Sequence, residues 1–445
     1  MNDKKIAIDN SRRRNPWWWI PTLYIAEGLP YFAVNTIAVL MYVKMGISNA
    51  EMAFYTGWLY LPWVIKPFWS PFVDIIKSKR WWTISMQFII AFTMAAIAFL
   101  LPTSFFFAST LAVFWVMAFC SATHDIAADG YYMLELKEHE QAAFVGVRST
   151  FYRIASVIGQ GGLVVVAGII ERKYENIPLS WTIVFAILSA FFFLVAIYNI
   201  WAMPHSDNDS LKSSNSVDKI IREFSETFVT FFRKPQIFSA LAFMLLYRLP
   251  EAMMLKLVQP FYVADRAIGG LGLSTEQVGI LNGTTGVVGL LLGGILGGIC
   301  ISRNGLKAWL WPMALALTLP CGFYCYLAMV QPVDFLLINI GIFIEQFGYG
   351  FGFTAFMLYL IHFADGEYKT SHYAFCTAFM ALGMMLPGMA AGYIYEWLGN
   401  FNIFGLPGQQ GYINFFWWVM ICSIPTFIVC LIIRINPEFG KKKLK

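Results

Sequence analysis

Residues 119–136, "FCSATHDIAADGYYMLEL", close a long apolar run and place His124, Asp125, Asp129 and Glu135 within twelve positions of it. Three- and four-residue spacing puts Ser121, Asp125, Asp129 and Tyr132 on one helical face, with His124, Ala128, Tyr131 and Glu135 on the neighbouring one. An ionised side chain facing lipid is costly, so such residues turn toward a partner or a water-filled cavity. The chemistry open to them is exchange of a proton and pairing with an opposite charge. Arg148, just before "FYRIASVIGQGG", and Arg153 within it lie nearby. Counting outward from the turn near "KEHE" sets Asp129 level with Arg148 and Asp125 level with Arg153, at about 1.5 Å per residue. Arg148 is expected to contact Asp129, and Arg153 to contact Asp125 or His124.

Other ionisable residues lie deep in apolar runs: Glu27, Lys66, Arg248, Glu251, Lys256 and Glu345. Glu27 precedes Gly28 and Pro30, which weaken the helix and free backbone groups, a feature tolerated beside cavities. Arg248 and Glu251 stand one turn apart and can satisfy each other; Pro250 lies between them. Glu345 shares a face with Gly341, Gly348 and Gly352, pointing at a close neighbour or at the cavity. Lys66 is placed to snorkel toward an interface. Tyr24, Tyr31, Tyr131 and Tyr132 offer aromatic faces, and arginine offers bidentate partners for carboxylates. The glycine stripe from Gly279 to Gly297 reads as close helix packing.

The elements that must position these groups are membrane helices. The 445 residues are 58% hydrophobic and 13% charged, with a mean hydropathy of +0.62, against roughly a quarter charged in soluble domains. Apolar runs of about 20 residues recur throughout, each long enough for a hydrocarbon core of about 30 Å. Twelve spans are expected, near 17–43, 50–73, 81–101, 106–136, 141–170, 180–202, 236–263, 275–300, 306–329, 334–363, 370–395 and 411–435. They divide the chain into a tail (1–16), a six-helix half (17–202), a polar linker (203–235), a second half (236–435) and a basic tail (436–445). The first span reads as an uncleaved helix, and the linker carries an amphipathic segment over 217–233. About 21 Lys and Arg fall on one side and about four on the other, which places both termini in the cytoplasm. "EGLPYF" echoes "YRLPEAM", and "GISNAEMAFYTG" echoes "GLSTEQVGILNG", with Ser48 and Ser274 as N-caps. Weak parallel similarity between two six-helix halves points to the major facilitator architecture with a central cavity. Spans one, four, five, seven and ten are expected to line it.

No phosphate-cradling loop, metal constellation, cofactor motif or nucleophile–base pair is present in the sequence. This argues against an enzyme, an ATP-driven pump and a nucleic-acid binder. The seven cysteines read as apolar fillers.

"EGLPYF", "WVIKPFWSPFVD", "FCSATHDIAADGYYMLEL" and "FYRIASVIGQGG" together resemble the bacterial muropeptide permeases (AmpG-like), a major-facilitator branch that also holds acetyl-coenzyme A transporters and some siderophore importers. The match is best over residues 17–170. The resemblance implies proton-driven import of anhydro-muropeptides across the inner membrane. It places the family's polar segment on Ser121 to Asp125, its Tyr-Arg on Tyr152 and Arg153, and a capping and gating aspartate on Asp74. His124 stands where the family usually has glutamine. The resulting assignment is proton coupling by Asp125, with Asp129, Glu27, Glu345 and His124 as further candidates. Substrate binding falls to Arg153, Arg148, Arg248, Tyr131, Tyr132, Tyr24 and Tyr31, and gating to Asp74, Pro30 and Pro250. Partners are a glycopeptide or other anionic solute, protons and the bilayer. A siderophore, an acyl-coenzyme A or a drug remains the alternative solute.

Overall fold

The computed structural model describes residues 14–136, 138–205, 217–366, 368–406 and 408–441. Every regular element among these residues is helical. The N-terminal bundle holds α1 (Pro16–Lys44), α2 (Asn49–Trp58), α3 (Leu61–Ile76), α4 (Lys79–Leu100) and α5 (Phe106–Glu135). It is completed by α6, running from Glu138–Ser156 through Val157–Gly162 into Leu163–Tyr174, and by α7 (Ile177–Ala202). After α8 (Val217–Phe232), the second bundle holds α9 (Ile237–Val263), α10 (Thr275–Asn304), α11 (Leu306–Val330), α12 (Phe335–Ala364), α13 (Lys369–Leu398) and α14 (Gln410–Ile432). Eleven helical stretches among the described residues are long and apolar enough to cross a bilayer. The expected span 50–73 is two shorter helices, α2 and α3, meeting at Leu59–Tyr60, where Pro62 starts the second. Proline cannot bond back to the preceding turn, so it favours a restart there.

The breaks on α1 and α9 also follow from proline. Pro30 sits inside α1, which relaxes into a wider π-turn at Ala33–Ile37. In α9, Pro250 follows a break at Tyr247–Arg248. The carbonyls freed there are met by the Thr426 hydroxyl of α14, 3.4 Å from Leu246 O and 3.1 Å from Tyr247 O. Ser48 and Ser274 cap α2 and α10 as expected, each accepting from a backbone N–H at 3.2 Å.

The bundles touch along two seams, α6 against α10 and α2–α3 against α13. At the first, Gly161 and Gly283 abut so closely that a Cβ on Gly161 would lie 2.6 Å from Gly283 Cα. Both residues sit in π-turns, Val157–Gly162 and Leu281–Gly286. The glycine stripe serves two neighbours: Gly279 and Gly283 face α6, whereas Gly289 and Gly293 face α12. The amphipathic α8 crosses one end of the molecule, its Phe224 against Phe68 of α3 and Phe375 of α13.

Candidate functional site

A cavity of about 1260 Å³ lies between the bundles, above the roughly 300–1,000 Å³ common for small-molecule pockets. It is lined by the five expected spans and also by residues of α3, α4, α10, α11 and α13. One end of the molecule is closed by bonds between the bundles: Thr275 to Glu171 (2.7 Å), Arg172 to Glu276 (2.8 Å), Asn49 to the Tyr412 hydroxyl (3.3 Å) and Ala50 N–H to Glu396 (3.3 Å). The paired hydroxyls of Tyr262 and Tyr324, 2.9 Å apart, lie toward that end. The lining reaches the opposite end at Lys77, Met133, Ser371 and Tyr373. That is the end the charge count assigns to the cytoplasm.

The N-terminal wall gathers three carboxyls. Arg148 pairs with Asp129 at 2.9 Å, as the hairpin count predicts. The Tyr24 hydroxyl donates to the same carboxylate at 3.2 Å, and its ring lies 4.8 Å beneath the guanidinium. Asp125 is paired with Lys66 of α3, not with Arg153. This corrects both the pairing and the snorkelling expectation for Lys66. Level depth fixes height along a helix but not direction around it. Arg148 and Arg153 are five residues apart, so their directions differ by about 140°. With Arg148 turned to α5, Arg153 turns away. It lines the cavity and forms no ion pair with a described residue. Glu27 sits beside Asp125, Asp129 and Arg148, and its Oε2 is buried without a hydrogen-bond partner.

The C-terminal wall is different. Arg248 and Glu251 form a bidentate pair at 2.8 and 2.7 Å, with the guanidinium 4.7 Å over the Phe353 ring. Glu345 is 3% exposed and accepts from the Gln346 amide at 2.8 Å, with no described cation paired to it. Aromatic wall comes from Tyr31, Tyr60, Trp63, Tyr152 and Tyr349, with Trp63 edge-on to Tyr31 at 5.4 Å.

Five expected site residues lie off the wall. His124 is fully buried and meets Gln87 of α4 at 3.0 Å. Gln87 accepts from Asn199 at 3.0 Å, and Asn199 from Thr22 at 2.9 Å, so His124 belongs to a network tying four helices together. One residue beyond the Asp125 face is about 100° around the helix, which directs it into the bundle. Tyr131 is buried, its hydroxyl donating to Pro204 O at 2.8 Å and its ring edge-on to Trp19. Tyr132 packs behind the wall, edge-on to Tyr24 and 5.6 Å from the Arg148 guanidinium. Pro30 and Pro250 are buried inside α1 and α9, where they shape the helices. The Asp74 side chain lies outside the described residues. Tyr60, Trp63 and Lys256 were missed as site residues. The first two carry no charge to mark them, and Lys256 shows its surroundings only in three dimensions.

Two six-helix-like bundles joined at α6–α10 and α2–α13 around a charged cavity describe a known architecture, and the family model described as Major Facilitator Superfamily matches residues 22–364. The chain belongs to that superfamily. It is a membrane transporter and not an enzyme. The transporter is similar to the anhydromuropeptide permease of Escherichia coli strain K12, 25% identical over 433 residues, covering 94% of this chain and 80% of the relative. It is also similar to a putative transporter, AmpG 4, of Rickettsia conorii, 24% identical over 421 residues, covering 92% and 94% of the two chains. Among solved structures, an inward-facing, unoccupied bacterial homologue of the human lysosomal transporter Spinster superimposes with a TM-score of 0.69, at 14% identity over 94% of this chain and 96% of that one. A D-xylose–proton symporter gives 0.68 at 11% identity over 96% and 98%. These likenesses at low identity concern the fold.

Proposed function

We propose that the transporter is a proton-coupled symporter that imports anhydro-muropeptides across the inner membrane. The observation that carries coupling is the charge count on the N-terminal wall. Glu27, Asp125 and Asp129 face two cations, Lys66 and Arg148. With all five ionised, the cluster is one negative charge in excess, and one proton neutralises it. Such a group titrates as a unit. Among the described residues Glu27 is the carboxyl of this cluster left without a paired cation, so it takes the place expected for Asp125 as the protonation site, with Glu345 as the second candidate.

The cavity chemistry supports the solute class. Arg153, without an ion pair among the described residues, offers a forked partner for a carboxylate, while Tyr31, Tyr60 and Trp63 give faces for sugar rings. The similarity to an anhydromuropeptide permease over most of both chains supports the muropeptide in particular. Neutralising the cluster and the bound anion together lets the loaded bundles rock past each other, whereas the half-loaded carrier holds a charge against low dielectric.

The test is uptake into proteoliposomes. Wild type is expected to accumulate radiolabelled anhydro-muropeptide under an inward proton gradient, with a siderophore and an acyl-coenzyme A competing weakly. Glu27→Gln mimics the protonated state and should abolish accumulation while counterflow exchange continues. Wild-type accumulation by that variant would refute the assignment of the proton to Glu27. Transport of a competitor in place of the muropeptide would refute the solute.

A further inference from the structure

On the C-terminal wall, Lys256 is a cation that no described carboxylate meets. It lies on α9 about two turns beyond Arg248, is 4% exposed, and lines the cavity. Its stem runs past Gly388 of α13, where an added Cβ would stand 3.4 Å from Lys256 Cγ. Its ammonium donates to the Thr56 hydroxyl at 3.0 Å and lies 5.3 Å from the centre of the Tyr60 ring. Thr56 and Tyr60 belong to the other bundle and flank the break between α2 and α3. The Thr56 hydroxyl gives its own proton to Met52 O at 2.7 Å, which leaves an oxygen lone pair for the lysine.

No described carboxylate pairs with Lys256, although Arg248 on the same helix has Glu251 and Lys66 across the cavity has Asp125. An ammonium has three donors. Here one meets a neutral hydroxyl, and the ring face adds a weak attraction. Burying a cation without a counter-charge is unfavourable, because the ion gives up water and gains no opposite charge. A fold that meets Lys66 with an acid, and leaves Lys256 with a hydroxyl and a ring face beside the cavity, leaves room for an anion from outside.

We propose that Lys256 is the anion receptor of the C-terminal wall, taking a carboxylate of the solute at the point where α9 meets the break in the opposite bundle. This rests on reading the cavity as the solute site. Because Thr56 and Tyr60 come from the N-terminal bundle, the anion held there touches both bundles at once.

The experiment compares two probes on purified protein in nanodiscs: an anhydro-muramyl tripeptide and the same molecule with its carboxylates amidated. Wild type is expected to prefer the acid. Lys256→Gln should weaken acid binding about tenfold or more, the loss of one charge-assisted contact, and amide binding less than about twofold. Lys256→Arg should restore the preference. Equal losses for both probes, or no preference in wild type, would overturn the proposal. A ligand-free measurement decides separately. Lys256→Met removes an uncompensated buried charge and should raise the apparent melting temperature by about 2–4 °C. A fall of that size would mean that the Thr56 bond is a structural lock, and would overturn the proposal even if wild type bound neither probe. Wild type binding neither probe would itself refute the muropeptide reading.

Discussion

The two walls of the cavity use the same residue types to different ends. On the N-terminal wall, the Arg148–Asp129 and Lys66–Asp125 pairs are a fifth to a third exposed, and a third carboxyl, Glu27, sits among them. On the C-terminal wall, Arg248 and Glu251 are 9% and 7% exposed and closed on each other, while Lys256 and Glu345 are each without an ionic partner among the described residues. Water-accessible pairs open at little cost, whereas a dry pair is costly to break. The N-terminal wall can therefore exchange partners when a proton arrives, and the C-terminal wall keeps one fixed pair beside two unpaired groups. The pseudo-symmetry of the bundles thus extends to helix breaks, both at a Leu-Pro, but not to charge.

Lys66→Met should disturb this comparison most. It leaves Asp125 without its cation next to Glu27 and Asp129, and transport is expected to fall by more than about tenfold. Adding Asp125→Asn removes the stranded charge, so the double variant should recover the melting temperature to within about 2 °C of wild type. A double variant no better than Lys66→Met alone would show that the pair is not the relevant unit.

Glu251→Gln and Asp129→Asn sharpen the contrast between dry and wet pairs. The first strands a buried guanidinium and should cost about 3–5 kcal/mol. The second strands an arginine with water at hand and should cost about 1 kcal/mol or less. Chemical unfolding of the two variants measures the difference, and equal losses would erase the distinction between the walls.

The smallest effect is expected from His124→Gln. Glutamine can keep the bond to Gln87, so transport should stay within about twofold of wild type and its pH profile should not move. A shifted pH profile would return His124 to the coupling machinery.

Composition and apolar periodicity determined the fold class without help, because a bilayer demands long apolar helices whatever their arrangement. The Leu-Pro echo and the Ser48 and Ser274 caps are likewise local, set by chemistry within a few residues. The Asp129–Arg148 pair was legible because a short turn joins two neighbouring helices and fixes their relative depth. The same count failed for Arg153, since depth does not fix direction around the helix. Lys66 could not be placed as Asp125's partner from sequence, because α3 and α5 are brought together by packing and not by a turn. His124 was drawn to the site by its type, yet its azimuth turned it into the α4–α7 network. The bare state of Lys256 is tertiary for the same reason. A sequence shows that a lysine lies in a membrane helix, but only the meeting of α9 with α2 and α13 shows that no described acid comes with it.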